Sequence, residues 1–177
     1  GQLAEQIPGV LLIDEAYADF IDPILEYRST SLLEKHDNIM ILRTFSKGYS
    51  LAGLRLGYLL GSSALIDPII NKTRDSYNIG YIQQKIGLSA IKDQDHARTN
   101  WSKTRENRAN LREKLSELGL FCPPSQSNFL LAHVGKDVGV SAKALYLALK
   151  DMKIYVRYFE DAKLEDHLRT VSYTHLR

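Results

Sequence analysis

The segment Thr44-Phe45-Ser46-Lys47-Gly48 places two hydroxyls beside a primary amine, directly after an apolar stretch. Hydroxyl and backbone N–H donors in such a turn suit an anion, and Arg55, which follows closely, adds a guanidinium that suits a phosphate group. The segment therefore predicts a phosphate site with an amine next to it. A Ser-Lys pair taken alone is more often part of a solvated turn, so a second signal is needed.

That second signal is Asp14-Glu15-Ala16-Tyr17, which follows another apolar stretch. A carboxylate at the end of a buried strand costs free energy unless it meets a cation or hydrogen-bond donors. One interpretation is that Asp14 caps the N-terminus of a helix. The alternative is that Asp14 is an anion for a positively charged ring nitrogen, and that Tyr17 offers its hydroxyl to a neighbouring oxygen.

The elements that position these segments are predicted to be strands of an α/β sheet. The runs 10–13, 39–42 and 57–61 are apolar, and the first is typical of a strand covered on both faces of a parallel sheet. A short helix is expected within 23–36, which completes a strand, crossover, strand unit. Chemistry in such sheets gathers beyond the carboxyl ends of the strands, where Asp14 and the segment 44–47 would lie.

Helical spacing dominates after Leu65. Helices are predicted at 65–74, 82–91 and 95–118, and the last is expected to stop at Gly119. A small α+β unit follows, with a strand at 128–132, a helix at 141–152 that begins after the N-cap Ser141, and a strand at 154–157.

The composition excludes several classes of protein. The chain has 44% hydrophobic and 25% charged residues, and it contains no apolar run of the roughly 20 residues that a membrane span requires. The net charge of +2 is not concentrated in any segment, so no nucleic acid partner is indicated. Cys122 is the single cysteine, which rules out an intrachain disulfide and a thiolate metal site and favours the cytoplasm. No metal is expected.

The two chemical clusters occur together with a distinctive order and gap. Asp14-Glu15-Ala16-Tyr17, then Thr44-Phe45-Ser46-Lys47, then the segment 51–58 resemble the core of fold-type I pyridoxal-phosphate-dependent aminotransferases, in particular the histidinol-phosphate aminotransferase branch. Further matching motifs lie at 76–78, 124–129 and 156–159. The resemblance implies that residues 1–78 form the C-terminal part of the large cofactor domain, with its mixed or parallel sheet. Residues 79–177 would form linking helices and a small α+β domain.

The resemblance also implies cofactor roles for several residues. Lys47 would carry pyridoxal 5'-phosphate through its amine, Asp14 would keep the pyridine nitrogen protonated, and Tyr17 would hydrogen-bond the phenolic oxygen. The cofactor phosphate would be bound by Thr44, Ser46 and Arg55. The family's glycine-containing phosphate loop, the aromatic residue that stacks on the ring and the tyrosine from the partner subunit would lie upstream of Gly1.

Substrate recognition is expected from the second half of the chain. By resemblance, Arg169 would pair with the substrate α-carboxylate, Arg157 would meet the phosphate of L-histidinol phosphate, and Asn128 would lie near the carboxylate. The implied partner substrate is 2-oxoglutarate, and the complete enzyme would be a homodimer. The segment 168–172 differs from the family pattern as if one residue were missing, and 173–177 looks unrelated to it.

Other functions fit the same motifs. A related enzyme with this cofactor could be an aromatic amino acid aminotransferase or a threonine-phosphate decarboxylase. A cofactor-sensing regulatory domain, fused to a DNA-binding module and without net catalysis, belongs to a different class. An inert fragment with only structural likeness is the third possibility. Substrate turnover separates the enzymes, and cofactor attachment at Lys47 separates all of them from the inert fragment.

Overall fold

The computed structural model describes residues 1–172, and their packing divides the chain into one unit that ends at Asn100 and another that begins at Trp101. The tail 173–177, which the sequence marks as unlike the family, lies outside the described residues. The first unit contains helices α1 (Gln2–Gln6), α2 (Ser63–Pro68) and α3 (Tyr81–Lys92). Its strands are β1 (Leu11–Asp14), β2 (Ile39–Thr44) and β3 (Gly57–Gly61).

The three strands form one sheet in the order β1-β2-β3. Strand β1 runs parallel to β2, which confirms the expected crossover unit, whereas β3 is antiparallel to β2. One face of the sheet is packed by Ala4, Ile39 and Ile41, with Leu11, Ile13, Leu32, Leu33 and Leu60 around them. On the other face Leu12 is 52% exposed. The expectation of a first strand covered on both faces is therefore wrong for the described residues, which pack on one side only.

The crossover between β1 and β2 contains short 3-10 turns in place of the expected helix. One of them, Pro23–Leu25, begins at Asp22, whose Oδ1 accepts a hydrogen bond from Ile24 N at 3.1 Å. It ends at Glu26, which adopts a left-handed conformation with φ 46°. Because that conformation cannot continue a right-handed helix, the chain leaves the turn at once.

The helix expected at 65–74 is divided in two. Helix α2 ends at Pro68, and a π-helical turn follows at Ile69–Thr73. Proline has no N–H for the helical ladder, and its ring crowds the carbonyl of the preceding turn, so regular α geometry is interrupted there.

The second unit is entered through helix α4 (Gln94–Glu117). This helix stops at Gly119, as expected, because Gly119 has φ 78° and its N–H donates back to Ser116 O at 3.0 Å. Leu118, which lies just beyond the last turn of this helix, is exposed. Packing groups α3 with the first unit, and the domain boundary that the sequence indicates at Asn78 stays a prediction. A Cβ on Gly87 of α3 would lie only 2.3 Å from Leu56 Cδ2.

The remaining elements of the second unit are strand β4 (Phe129–His133), helix α5 (Ala142–Asp151), strand β5 (Arg157–Tyr158) and strand β6 (His167–Val171). The strands form an antiparallel sheet in the order β4-β6-β5. Residues Leu120, Cys122, Leu130, Ala132, Val134, Ala142 and Leu168 form its core. Strand β6 stays paired with β4 through Val171, and Ser172 N donates to Asn128 O at 2.9 Å, so the segment 168–172 keeps a continuous register.

Within the described part of the chain, no helix is long and apolar enough to cross a lipid bilayer.

Candidate active site

The parallel pairing of β1 and β2 brings both chemical segments to one edge of the first sheet. Asp14 is the last residue of β1 and lies opposite Leu42, two residues before the end of β2 at Thr44. Because side chains alternate along a strand, Asp14 and Thr44 share the open face with Leu12 and Leu42. The segment that follows Thr44 therefore starts at the same edge of the sheet as Asp14.

The turn after β2 is closed by its own hydrogen bonds. Thr44 Oγ1 accepts from Ser46 N at 3.0 Å and donates to Leu56 O at 3.3 Å. Phe45 N donates to Leu56 O, and Leu51 N donates to Phe45 O, both at 3.0 Å. These bonds fix the backbone on either side of Lys47 without help from a ligand.

Lys47 and Tyr17 meet at this edge. The Lys47 Nζ lies 5.5 Å from the centroid of the Tyr17 ring. Asp14 is exposed, and its Oδ1 accepts a hydrogen bond from Ala16 N at 3.0 Å, so the carboxylate also shapes the turn that carries Tyr17. This is a turn hydrogen bond and not a helix cap, because the 3-10 helix that follows at Ala18–Phe20 has Tyr17 as its N-cap. The exposed carboxylate of Asp14 remains accessible to a ligand.

Arg55 is held in an unusual backbone conformation. Its φ of 53° and ψ of 45° are left-handed, and its Nη1 donates to Ala52 O at 3.1 Å. A non-glycine residue in this region carries strain that the surrounding structure must hold, and such strain is frequent at functional sites. The guanidinium is exposed one residue before Leu56, whose carbonyl binds the Lys47 turn.

A buried ionic network behind this edge was not anticipated from the sequence. Glu15 is buried, and its Oε2 accepts from Arg43 Nε and contacts Arg43 Nη2, both at 2.6 Å. The Tyr27 hydroxyl donates to Glu15 Oε1 at 2.6 Å. The alternation of side chains along the strands could have predicted this ion pair. Glu15 and Arg43 are sequence neighbours of Asp14 and Thr44, so both point to the packed face of the sheet.

Asp19 connects this network to the Lys47 turn. Its Oδ1 is 3.8 Å from Arg43 Nη1, and a Cβ built on Gly48 would lie 2.1 Å from its Oδ2. Burial raises the pKa of Asp19 from its usual 3.8 to about 6; the Arg43 charge opposes this effect and the Glu15 charge adds to it. Glycine at position 48 is what lets this carboxyl group approach the backbone directly after Lys47.

A cavity of about 280 Å³ lies on the other side of the same turn. Gly48 and Tyr49 line it together with Asp93, which directly precedes α4, and His96, which lies in the first turn of α4. Gln94 Nε2 donates to the Tyr49 hydroxyl at 3.2 Å, which links this wall of the cavity to the turn.

The predicted substrate residues lie in the second unit. Arg157 and Arg169 are brought together, because they are directly opposite each other in the pairing of β5 with β6. Asn128 is buried, and its carbonyl accepts hydrogen bonds from Ser172 N and Ser172 Oγ, both at 2.9 Å. That backbone role is structural, and contact of Asn128 with a substrate carboxylate stays a prediction. Among the described residues, no group of three or more His, Cys, Asp and Glu side chains is arranged to hold a metal ion.

Known proteins resemble this chain along nearly all of its length. The family model for aminotransferase class I and II matches residues 1–175. Histidinol-phosphate aminotransferase 1 of Nostoc sp. is 41% identical over 168 residues, which are 95% of this chain and 45% of that protein. The chain thus spans about half the length of the curated relatives that it matches.

Solved structures also resemble this chain over nearly all of its length. Histidinol-phosphate aminotransferase from Sinorhizobium meliloti, crystallised in complex with pyridoxal-5'-phosphate, matches with a TM-score of 0.76 at 28% identity, over 92% of this chain and 44% of that one. A decarboxylase from Sulfurospirillum multivorans matches with a TM-score of 0.81 at 26% identity, over 98% of this chain and 50% of that one.

Proposed function

Because the chain belongs to the aminotransferase class I and II family, we propose that it is about half of an enzyme that moves an amino group between L-histidinol phosphate and 2-oxoglutarate. Histidinol-phosphate aminotransferases at 38–42% identity support this substrate pair, which would place the enzyme in histidine biosynthesis. The observation that carries the proposal is the meeting of Lys47 and Tyr17 at the edge where β1 and β2 both end.

The groups at this edge fit pyridoxal 5'-phosphate. The amine of Lys47 suits its aldehyde, the exposed carboxylate of Asp14 suits its ring nitrogen, and the hydroxyl of Tyr17 suits its phenolic oxygen. The hydroxyls of Thr44 and Ser46 and the guanidinium of Arg55 are donors appropriate to a phosphate.

Each of these residues has a defined task in the proposed reaction. Lys47 would hold the cofactor through its amine, and that amine, when free, would accept the proton of the substrate α-carbon and donate it back. Asp14 would keep the ring nitrogen protonated, and Tyr17 would donate a hydrogen bond to the phenolic oxygen. When bound, the cofactor supplies an electron-poor ring that stabilises the developing charge.

Arg157 and Arg169 supply the positive charge for the substrate. We assign the phosphate of L-histidinol phosphate to Arg157 and the α-carboxylate of the amino acid and oxoacid substrates to Arg169, because guanidinium groups bind such oxyanions through paired N–H donors. Asn128 is placed near that carboxylate. A homodimer with sites at the subunit boundary and a cytoplasmic location complete the proposal.

Covalent mapping tests the role of Lys47. We expect incubation with pyridoxal 5'-phosphate, borohydride reduction and peptide mass spectrometry to place the cofactor on Lys47, and the Lys47→Arg variant to lose the label. Lys72→Arg, which changes an exposed lysine of the π turn, is the matched control and should label like the wild type. Labelling that persists in Lys47→Arg would show that another amine holds the cofactor.

A decarboxylase is the second candidate, because the Sulfurospirillum multivorans decarboxylase has a similar fold at 26% identity. An aromatic amino acid aminotransferase remains the other enzymatic alternative. Assays of the full-length protein separate these enzymes. Transamination of L-histidinol phosphate supports the proposal. If L-histidinol phosphate is not transaminated, carbon dioxide release supports the decarboxylase and brisk amino transfer from another amino acid supports the other aminotransferase. A regulatory domain would bind cofactor at Lys47 and turn over none of these substrates.

A further inference from the structure

The second sheet has one packed face and one open face. Along β4 and β6, Leu130, Ala132 and Leu168 point into the core, so their neighbours Phe129 and Arg169 lie on the opposite face.

Two positive charges are crowded onto the open face. Arg157 and Arg169 are directly opposite in antiparallel register, so their side chains leave the sheet on the same side. Like charges in this position destabilise a strand pair. Among residues 1–172, no carboxylate forms an ion pair with either guanidinium.

Aromatic rings hold the two guanidiniums instead. The Phe159 ring centroid is 5.7 Å from Arg157 Cζ and 5.8 Å from Arg169 Cζ, and the Phe129 ring centroid is 5.1 Å from Arg169 Cζ. Cations are attracted to aromatic faces at such distances. Phe159 is the one described side chain whose ring contacts both arginines.

We propose that Phe159 is a positioning residue that holds Arg157 and Arg169 together, so that the pair receives a substrate with two separate anionic groups. The identification of these two anionic groups as a carboxylate and a phosphate rests on the proposed function. Packing a guanidinium against a ring leaves its N–H edge available to oxyanions, and it limits the side-chain freedom that binding would otherwise remove.

Anion binding by the 177-residue chain tests this role, with inorganic phosphate as the probe. The Nε–Hε resonances of Arg157 and Arg169 in nuclear magnetic resonance spectra should carry upfield ring-current shifts, and both should move on phosphate titration. In Phe159→Leu we expect the ring-current shifts to diminish and the dissociation constant for phosphate to rise about fivefold to tenfold. Phe159→Tyr, which keeps the ring, should restore both.

Phe121→Leu is the matched control, because Phe121 is 65% exposed and makes no ring contact with an arginine among the described residues. Its phosphate affinity should equal that of the wild type. Wild-type affinity in Phe159→Leu, or arginine resonances without ring-current shifts in the wild type, would overturn the proposal. The latter measurement needs no variant and so holds even if Phe159→Leu fails to fold.

Failure here is distinguishable from failure of the proposed function. If no cofactor attaches at Lys47 while phosphate binding depends on Phe159, the aminotransferase proposal fails and the anion site remains. If Lys47 is labelled and Phe159 has no effect on phosphate binding, the positioning role alone is wrong.

Discussion

At the residue scale, the position after Lys47 must be free of a side chain. The Asp19 carboxyl group occupies the space that a Cβ on Gly48 would need, and Asp19 in turn lies near the Arg43–Glu15 pair. The backbone that carries the proposed catalytic amine is therefore fixed by a carboxyl group that burial makes reluctant to ionise. The protonation state of Asp19 should influence how firmly this turn is held.

Stability should depend on pH through Asp19. Its folded-state pKa of about 6 exceeds the usual 3.8, so the folded chain binds this proton more tightly than the unfolded chain. The corresponding stabilisation is complete below pH 3.8 and is lost as pH rises through about 6. Asp19→Asn removes this dependence, so the free energy of unfolding of the variant should gain about 1–3 kcal/mol relative to wild type between pH 4 and pH 7.5.

Urea denaturation at the two pH values measures this difference. The exposed Asp151→Asn at the end of α5 is the control and should follow the wild type at both. Parallel pH profiles for wild type and Asp19→Asn would show that Asp19 ionises in the folded chain as it does in the unfolded one.

At the element scale, local signals predicted most of the structure. The apolar runs located β1, β2 and β3, the Ser141 cap located the start of α5, and Gly119 located the end of α4. Errors occurred where tertiary context decides. Apolar spacing alone cannot reveal a π turn after Pro68, and the continuous apolar run of β1 does not tell whether one face or both are packed.

The candidate site was predictable to a similar extent. Its chemical residues were evident from the motifs around Asp14 and Lys47, because parallel strands end at a common edge. The supporting contacts of Glu15, Asp19 and Phe159 were not evident, since they depend on side chains that are distant in the sequence.

The start of α5 allows a direct test of this local reasoning. The Ser141 Oγ accepts a hydrogen bond from Ala144 N at 3.2 Å and satisfies one of the N–H groups that a helix terminus leaves unpaired. Ser141→Ala should therefore lower the free energy of unfolding by about 1 kcal/mol. Ser116→Ala, at an exposed position within α4, should change it by less than about 0.5 kcal/mol. Equal midpoints of urea denaturation in the two variants would contradict the capping role.

At the scale of the whole molecule, the open apolar face of the first sheet is the main feature. Leu12, half exposed, lies on the same face as Asp14 and Thr44, and the chain spans about half the length of its relatives. Large apolar surfaces of this kind in a sheet are normally covered in a functional protein. The amine proposed to hold the cofactor therefore lies at the edge of a sheet face that is open to water.

We expect the isolated 177-residue chain to show low or no aminotransferase turnover. Water reaches the open edge around Lys47, and a site that is not enclosed holds cofactor and substrate weakly. The measurement is the rate with L-histidinol phosphate and 2-oxoglutarate, compared with that of the full-length protein assayed at equal concentration. Robust turnover by the isolated chain would refute this expectation.

Side chains along β4 and β6 alternate between the packed and the open face of the second sheet. This alternation determines where the second unit can accept an inserted or deleted residue. One residue inserted into or deleted from β6 ahead of Leu168 would exchange the two faces of that strand, so that Arg169 would point toward the interior and Leu168 toward water. The same change in the connection between α5 and β5 or between β5 and β6 would leave both sides as they are. Homologous chains should therefore differ in length more often in these connections than inside either strand.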